Sequence, residues 1–151
     1  MLAEHYDFVI GGDPDRDTID LAILDTVTGG VRGHLADRAD GPGYLRLLAW
    51  AREHAPGRRV WALEGTGSFA AGLVMVLAEA GEDIVEITGG KRSRGAKNDR
   101  IDAVQAARTA LARKTKPRPV NGACVKRCVR FSLPGRQSWS AEPKRSTNSR
   151  V

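Results

Sequence analysis

Apolar and polar positions change period several times along the chain, and each change marks an element. "YDFVIGG" at 6–12 is a short apolar run closed by two glycines and followed by "DPDRD", the pattern of a buried strand that delivers acidic residues at its C-terminal end. "TIDLAILDT" at 18–26 alternates as a half-buried strand does, "TGG" at 28–30 is a turn, and "VRGHLAD" at 31–37 returns weakly as a third strand. These three predict an antiparallel meander. "GPGYLRLLAWAREHA" at 41–55 opens on turn residues and then places Tyr44, Leu47, Leu48 and Ala51 on one helical face. "RRVWALEG" at 58–65 is another buried strand, with Glu64 at its end.

The second half continues in alternation. "SFAAGLVMVLAEAG" at 68–81 predicts a helix with Ser68 as N-cap, a stripe of Phe69, Leu73, Val76, Leu77 and Ala80, and Gly81 to end it. "EDIVEIT" at 82–88 is a fifth strand. "NDRIDAVQAARTALAR" at 98–113 is a helix capped by Asn98 and apolar along Ile101, Val104, Ala107 and Leu111. The order βββαβαβα predicts an α/β domain with a mixed sheet flanked by helices. It is the order of the ribonuclease-H-like fold, which the pattern allows without forcing.

The 151 residues, 41% hydrophobic and 28% charged, suit one domain with its own core, and both Trp50 and Trp61 are candidates for it. "MLAEHYDFVI" has neither the basic leader nor the apolar run of a signal peptide, and no stretch has the length of a membrane span. The expectation is a cytoplasmic bacterial protein with no membrane partner. Cys124 and Cys128, without a second pair or a nearby His, predict free thiols rather than a zinc site or a disulfide framework. His5, His34 and His54 share no ligand spacing.

Charge changes the picture. Residues 1–112 carry 13 basic and 17 acidic side chains, whereas 113–151 carry 11 basic and one acidic. A basic tail fits a polyanionic partner such as nucleic acid, and it equally fits solvated, disordered chain.

Among the acids, Asp13 and Glu64 stand at the ends of two predicted strands, where the functional crevice of an open α/β sheet lies. Asp99 and Asp102, in "KNDRIDA", are three apart in the first turn of the last helix and so share a face. Each alone has an ordinary explanation, since acids are favoured at helix starts and in turns. Four gathered at one edge would repel one another unless a cation neutralised them, and hard oxygen ligands suit Mg²⁺ or Mn²⁺. Two such ions about 4 Å apart can activate a nucleophile and stabilise a leaving oxygen in phosphodiester displacement. "KRSRGAK" places Lys91, Arg92, Arg94 and Lys97 directly before the aspartates, either to hold phosphates or as a solvated loop. The glycines and small hydroxyls of "EGTGS" would admit a polynucleotide backbone, and they fit a tight turn as well.

Taken in order, "VIGGDPDRDT", "ALEGTGSFAAGL" and "KRSRGAKNDRIDAVQAARTA" resemble the N-terminal RuvC-like domain of the DEDD-type transposases of bacterial insertion sequences, the bridge-RNA-guided recombinases. The matching pieces span most of residues 8–110. The resemblance implies that Asp13, Glu64, Asp99 and Asp102 are four catalytic, metal-binding acids, and that the activity is DNA transposition or site-specific recombination. It also implies DNA as partner, a structured guide RNA, a homo-oligomer, and a following coiled coil and serine-bearing domain, neither of which is recognisable in this sequence.

The domain is expected over 1–115, with 116–151 a disordered basic tail. From about Cys124 the chain loses apolar periodicity and turns rich in Arg, Ser and Pro, as out-of-frame translation of high-GC DNA does, so a frameshift near 120–124 is expected. Three other readings stay open: a stand-alone RuvC-like nuclease or resolvase using the same acids, an actin-like nucleotide-binding half, and a non-catalytic nucleic-acid-binding fragment.

Overall fold

In the computed structural model, which describes residues 2–87 and 99–112, strands and helices follow the expected order. After a 3-10 turn at Leu2–Glu4 come β1 (Phe8–Pro14), β2 (Thr18–Asp25), β3 (Val31–Arg38), α1 (Gly41–His54), β4 (Arg59–Glu64), α2 (Ala71–Glu79), β5 (Asp83–Ile87) and α3 (Asp99–Ala112). Among the described residues the strands form one five-stranded sheet in the order β3-β2-β1-β4-β5. The β1–β2 and β2–β3 pairs are antiparallel, and β1–β4 and β4–β5 are parallel. The protein is thus α/β with a mixed sheet, an arrangement compatible with the ribonuclease-H-like order.

Each strand divides its side chains between two cores, as the period of two requires. On one face Ile10, Ile19, Leu21, Ile23, Trp61, Leu63 and Ile84 meet Leu47, Leu48 and Ala51 of α1 and Leu73, Val74 and Leu77 of α2. On the other, Val9, Ala22, Leu24, Val60, Ala62, Val85 and Ile87 meet Ala103, Ala106, Ala107 and Ala110 of α3. Helices therefore cover both faces, which is why the central strands read as continuous apolar runs.

The first hairpins have local causes. Asp15 N donates to Thr18 O at 2.9 Å and closes the β1–β2 connection. Beyond β2, the Asp25 carboxylate accepts from Val27 N at 2.9 Å and Thr28 N at 3.0 Å, and Gly29 supplies a φ of +67°. Arg32 Nη2 donates to the same carboxylate at 2.6 Å across the hairpin. The strand that read as weak is a full partner of β2, because its irregular apolar pattern belongs to a sheet edge. At the start of α1, Asp40 Oδ1 accepts from Gly43 N at 2.8 Å, an N-cap.

Several expectations are corrected. The first strand runs to Pro14, so Asp13 lies within it and not past it. Helix α2 starts at Ala71 with Ala70 at the cap position and no side-chain capping bond. Ser68 instead closes the preceding turn, its N donating to Gly65 O at 2.9 Å and its Oγ at 3.0 Å. Phe69 is 53% exposed rather than part of the α2 stripe, since it precedes the helix and does not follow helical phase. Trp61 is buried but Trp50 only half so, lying with its ring 5.2 Å from that of His54.

The buried face of α3 is also not the one its larger residues marked. Ile101 is 61% exposed, Val104 and Leu111 are at the margin, and alanines make the contact. The cause is in β1: a Cβ on Gly11 would fall on the Ala103 carbonyl oxygen and 2.6 Å from Ala107 N. The helix backbone rests on the strand backbone, and only small residues fit between.

At the opposite edge of the sheet from the β4 C-terminus, Glu82 is a buried fastening, its side chain 4% exposed. Arg59 donates to it through Nη2 at 2.6 Å and Nε at 2.7 Å, Arg52 through Nε at 3.1 Å, and Trp61 through Nε1 at 3.1 Å. Burial pushes its pKa up, but the donors from Arg59, Trp61 and Arg52 outweigh burial and hold it below the ordinary value.

No helix among the described residues is long and apolar enough to cross a membrane. The expected Asn98 cap, the basic residues Lys91, Arg92, Arg94 and Lys97, both cysteines, and the 116–151 tail lie outside the described residues.

Replacing Gly11 by Ala is expected to destabilise the domain by about 3 kcal/mol, the upper range for overpacking, because the new methyl meets backbone rather than a movable side chain. Denaturant unfolding checks this, and unchanged stability would place α3 elsewhere. Acid should also unfold the protein through named groups. Hydrogen bonds from Arg32 and from Thr28 and Val27 N–H lower Asp25 to about 2 from 3.8, and hydrogen bonds from Arg46 hold Asp37 below its ordinary value. As pH falls from 4 to 2 the unfolded chain takes these protons first, so this stability, full above about pH 4, is lost on the way down. Tm against pH should fall in that window, and Asp25→Asn should flatten the fall.

Candidate functional site

The parallel β1–β4 ladder ends with Gly12 beside Leu63, so the next residues on the two strands, Asp13 and Glu64, stand next to each other at their carboxyl ends. Alternation sets their direction. Gly11 and Ala62 lie under α3, so Asp13 and Glu64, two residues on, belong to that same face. Both are half-buried.

Helix α3 brings its first turn to this edge. Its buried alanines run from Ala103 to Ala110, Ala103 and Ala107 lie over Gly11, and Leu2, in the 3-10 turn before β1 that α3 touches, is buried in the same cluster. The helix therefore descends from the carboxyl edge, with Asp99 opening it and Asp102 one turn in. Asp102 is exposed; Asp99 is described by its backbone alone.

The structure thus brings Asp13 and Glu64 together by strand register, and places the Asp99–Asp102 turn at the same end of the sheet. Among the described residues, no group of three or more His, Cys, Asp or Glu side chains is gathered closely enough to hold a metal ion. The three histidines are dispersed, His5 before β1, His34 on β3 and His54 at the end of α1, in agreement with their lack of ligand spacing.

One acid escaped the sequence reading. Asp20 on β2 is the direct cross-strand partner of Asp13, on the face of Ala22 and Leu24 that α3 covers. Asp20, Asp13 and Glu64 therefore form a row across three adjacent strands, roughly 5 Å apart in backbone position. Hairpin arithmetic carried the signal: closing the 15–18 turn forces residue 13 opposite residue 20, and Asp20 is the polar position between buried Ile19 and Leu21. Like charges placed opposite one another repel, which makes the row a natural seat for positive charge.

The turn after β4 is held by glycine chemistry. Gly65 has a φ of +59°, in the left-handed region that a side chain disfavours, and this lets the chain double back at once from Glu64. Thr66 is buried within that turn and Phe69 emerges from it. Between this turn and the β1–β2 hairpin lies an open groove of about 410 Å³ lined by Asp15, Arg16, Asp17, Thr18 and Phe69. Arg16 Nε is 3.3 Å from Asp17 Oδ2, with both side chains 79% exposed.

No family model matches the chain, and no curated protein matches it in sequence.

Proposed function

We propose that the chain carries a ribonuclease-H-like, RuvC-like catalytic domain of a DEDD-type insertion-sequence transposase, acting on DNA phosphodiesters with Mg²⁺ or Mn²⁺. The observation that carries this reading is the register that sets Asp13 beside Glu64 on the α3 face, with the Asp99–Asp102 turn at the same edge. The antiparallel meander joined through β1 to parallel β4 and β5 also supports it.

The donor set fits the ion. Asp13, Glu64, Asp99 and Asp102 offer only carboxylate oxygens, which are hard ligands, and among the described residues no thiolate or imidazole competes at this edge to favour a softer metal. Bound there, a divalent ion supplies Lewis-acid polarisation of a phosphodiester and neutralises charge on the leaving oxygen. The chain's own contribution is placement. Asp13 and Glu64 are held by the central β1–β4 ladder, so their spacing is set by backbone hydrogen bonds and changes little with side-chain motion. Asp102 faces solvent from the last helix, the side from which a polynucleotide can approach. Lys91, Arg92, Arg94 and Lys97, which precede that helix in sequence, pair with backbone phosphates in this reading and offset the acidic edge.

Titrating the full chain with Mn²⁺ tests the site: wild type should bind, and Asp13→Asn and Glu64→Gln should each weaken binding about tenfold or more. Equal binding by all three removes the site. For the activity, Mg²⁺-dependent nicking of branched or transposon-end DNA should fall about 100-fold or more in Asp102→Ala. Cleavage that survives this change would assign the chemistry to other residues.

A further inference from the structure

Helix α2 carries no charged side chain before Glu79, so it is apolar around its whole circumference, the composition of a helix enclosed on every side. In the fold it is not enclosed. Leu73, Val74 and Leu77 are buried against the sheet, while Ala71, Gly72, Met75, Val76 and Ala78 are only partly covered. We infer that the outer surface of the α1–α2 layer is a self-association face, on which a second copy of the chain docks about a two-fold axis. The inference stands apart from the reading of the acids as a DNA-processing site.

The layer brings two large exposed side chains to one place. A Cβ on Gly72 would lie 2.6 Å from Tyr44 Cε2, so the Tyr44 ring rests on the beginning of α2, and Arg52 Nη2 donates to Ala80 O at 3.2 Å just past its end. The two helices therefore run side by side in the same direction. Leu45, seven residues before Arg52, shares its stripe on α1 and stands at the start of the seam. Phe69, three residues before Gly72, stands at the same end from the other side. They are 60% and 53% exposed. Large projections next to the small Ala71 and Ala78 make a surface able to interlock with its own copy.

The rim selects the occupant. Ala39 N donates to Asp17 O at 3.0 Å and ties the β1–β2 turn to the start of α1. Two exposed ion pairs thus border the apolar centre, Arg16 with Asp17 at 3.3 Å and Arg38 with Asp40 at 3.4 Å. Their charges cancel, and Asp15 adds one negative charge. A nucleic acid would meet carboxylates there with no net positive field to hold it. The basic stretch 113–151 would find little opposite charge. A second copy brings the same apolar centre and the same mixture of signs, so each rim offers the other both kinds of partner. A two-fold contact uses the patch on both copies and closes at two. Because few large side chains form its centre, the interface belongs to the weak size class.

Sedimentation of the nuclease-treated full chain between about 1 and 200 µM tests the face. Wild type should pass from monomer to dimer with a dissociation constant of about 10–100 µM. Raising NaCl from about 0.1 to 0.5 M should change that constant by less than about threefold, because the rim is balanced. Leu45→Glu and Phe69→Asp each put an unpaired charge into the apolar centre and should each weaken association about tenfold or more, whereas Leu45→Met should stay within about threefold of wild type. Both acidic changes are at exposed positions, so thermal unfolding at about 1 µM, where wild type is monomeric by the constant above, should match wild type. If one acidic variant unfolds early, the other decides. A wild type still monomeric at the top concentration, association abolished by salt, assembly beyond two copies, or undiminished association in a folded acidic variant overturns the proposal.

Discussion

The contact of α3 with β1 at Gly11 governs much else in this molecule. Two backbones meet there without side chains between them, and the approach is possible only because the strand offers glycine and the helix offers alanine. That closeness fixes the height of the helix above the sheet, and its run of buried alanines fixes its direction. The first turn of α3 therefore reaches the edge where Asp13 and Glu64 end their strands. Larger residues at either surface would lift the helix and separate the two acidic groups.

The sheet is chemically polarised from end to end. At one edge Glu82 draws Arg59, Arg52 and Trp61 into a buried cluster in which opposite charge and hydrogen bonds satisfy the carboxylate. At the other, Asp20, Asp13 and Glu64 stand in a row of like charge. The first arrangement is a fastening between α1, β4 and the entry to β5. The second gathers carboxylates from three strands on one face, the kind of local exception to the packing rules that functional sites carry. The glycine turn after Glu64, which leaves Phe69 exposed beside the β1–β2 hairpin, belongs to this second edge.

Much of the fold was legible in the sequence because its elements are bounded by strong local signals. The alternation of "TIDLAILD", the glycines after β4 and β2, and the Gly-Pro-Gly turn residues that open α1 act over a few residues, and the structure bears them out. The errors came where two local signals competed. Ser68 is a good N-cap type, yet a positive-φ Gly65 three residues earlier used its hydroxyl and N–H to close a turn. In α3 the stripe of Ile101, Val104, Ala107 and Leu111 ranked three larger residues with one alanine, yet of the four only Ala107 is fully buried, because the partner surface was a glycine, which no count within the helix can reveal.

By itself the sequence determined the order of elements, the two strand-end acids and the i, i+3 aspartates, since each depends on residues close along the chain. Tertiary structure alone decided that Asp13 and Glu64 are neighbours and which face of α3 is buried. Those facts depend on strand register and on the distance between backbones, and both are set by packing between segments some fifty to ninety residues apart, from β1 to β4 and to α3.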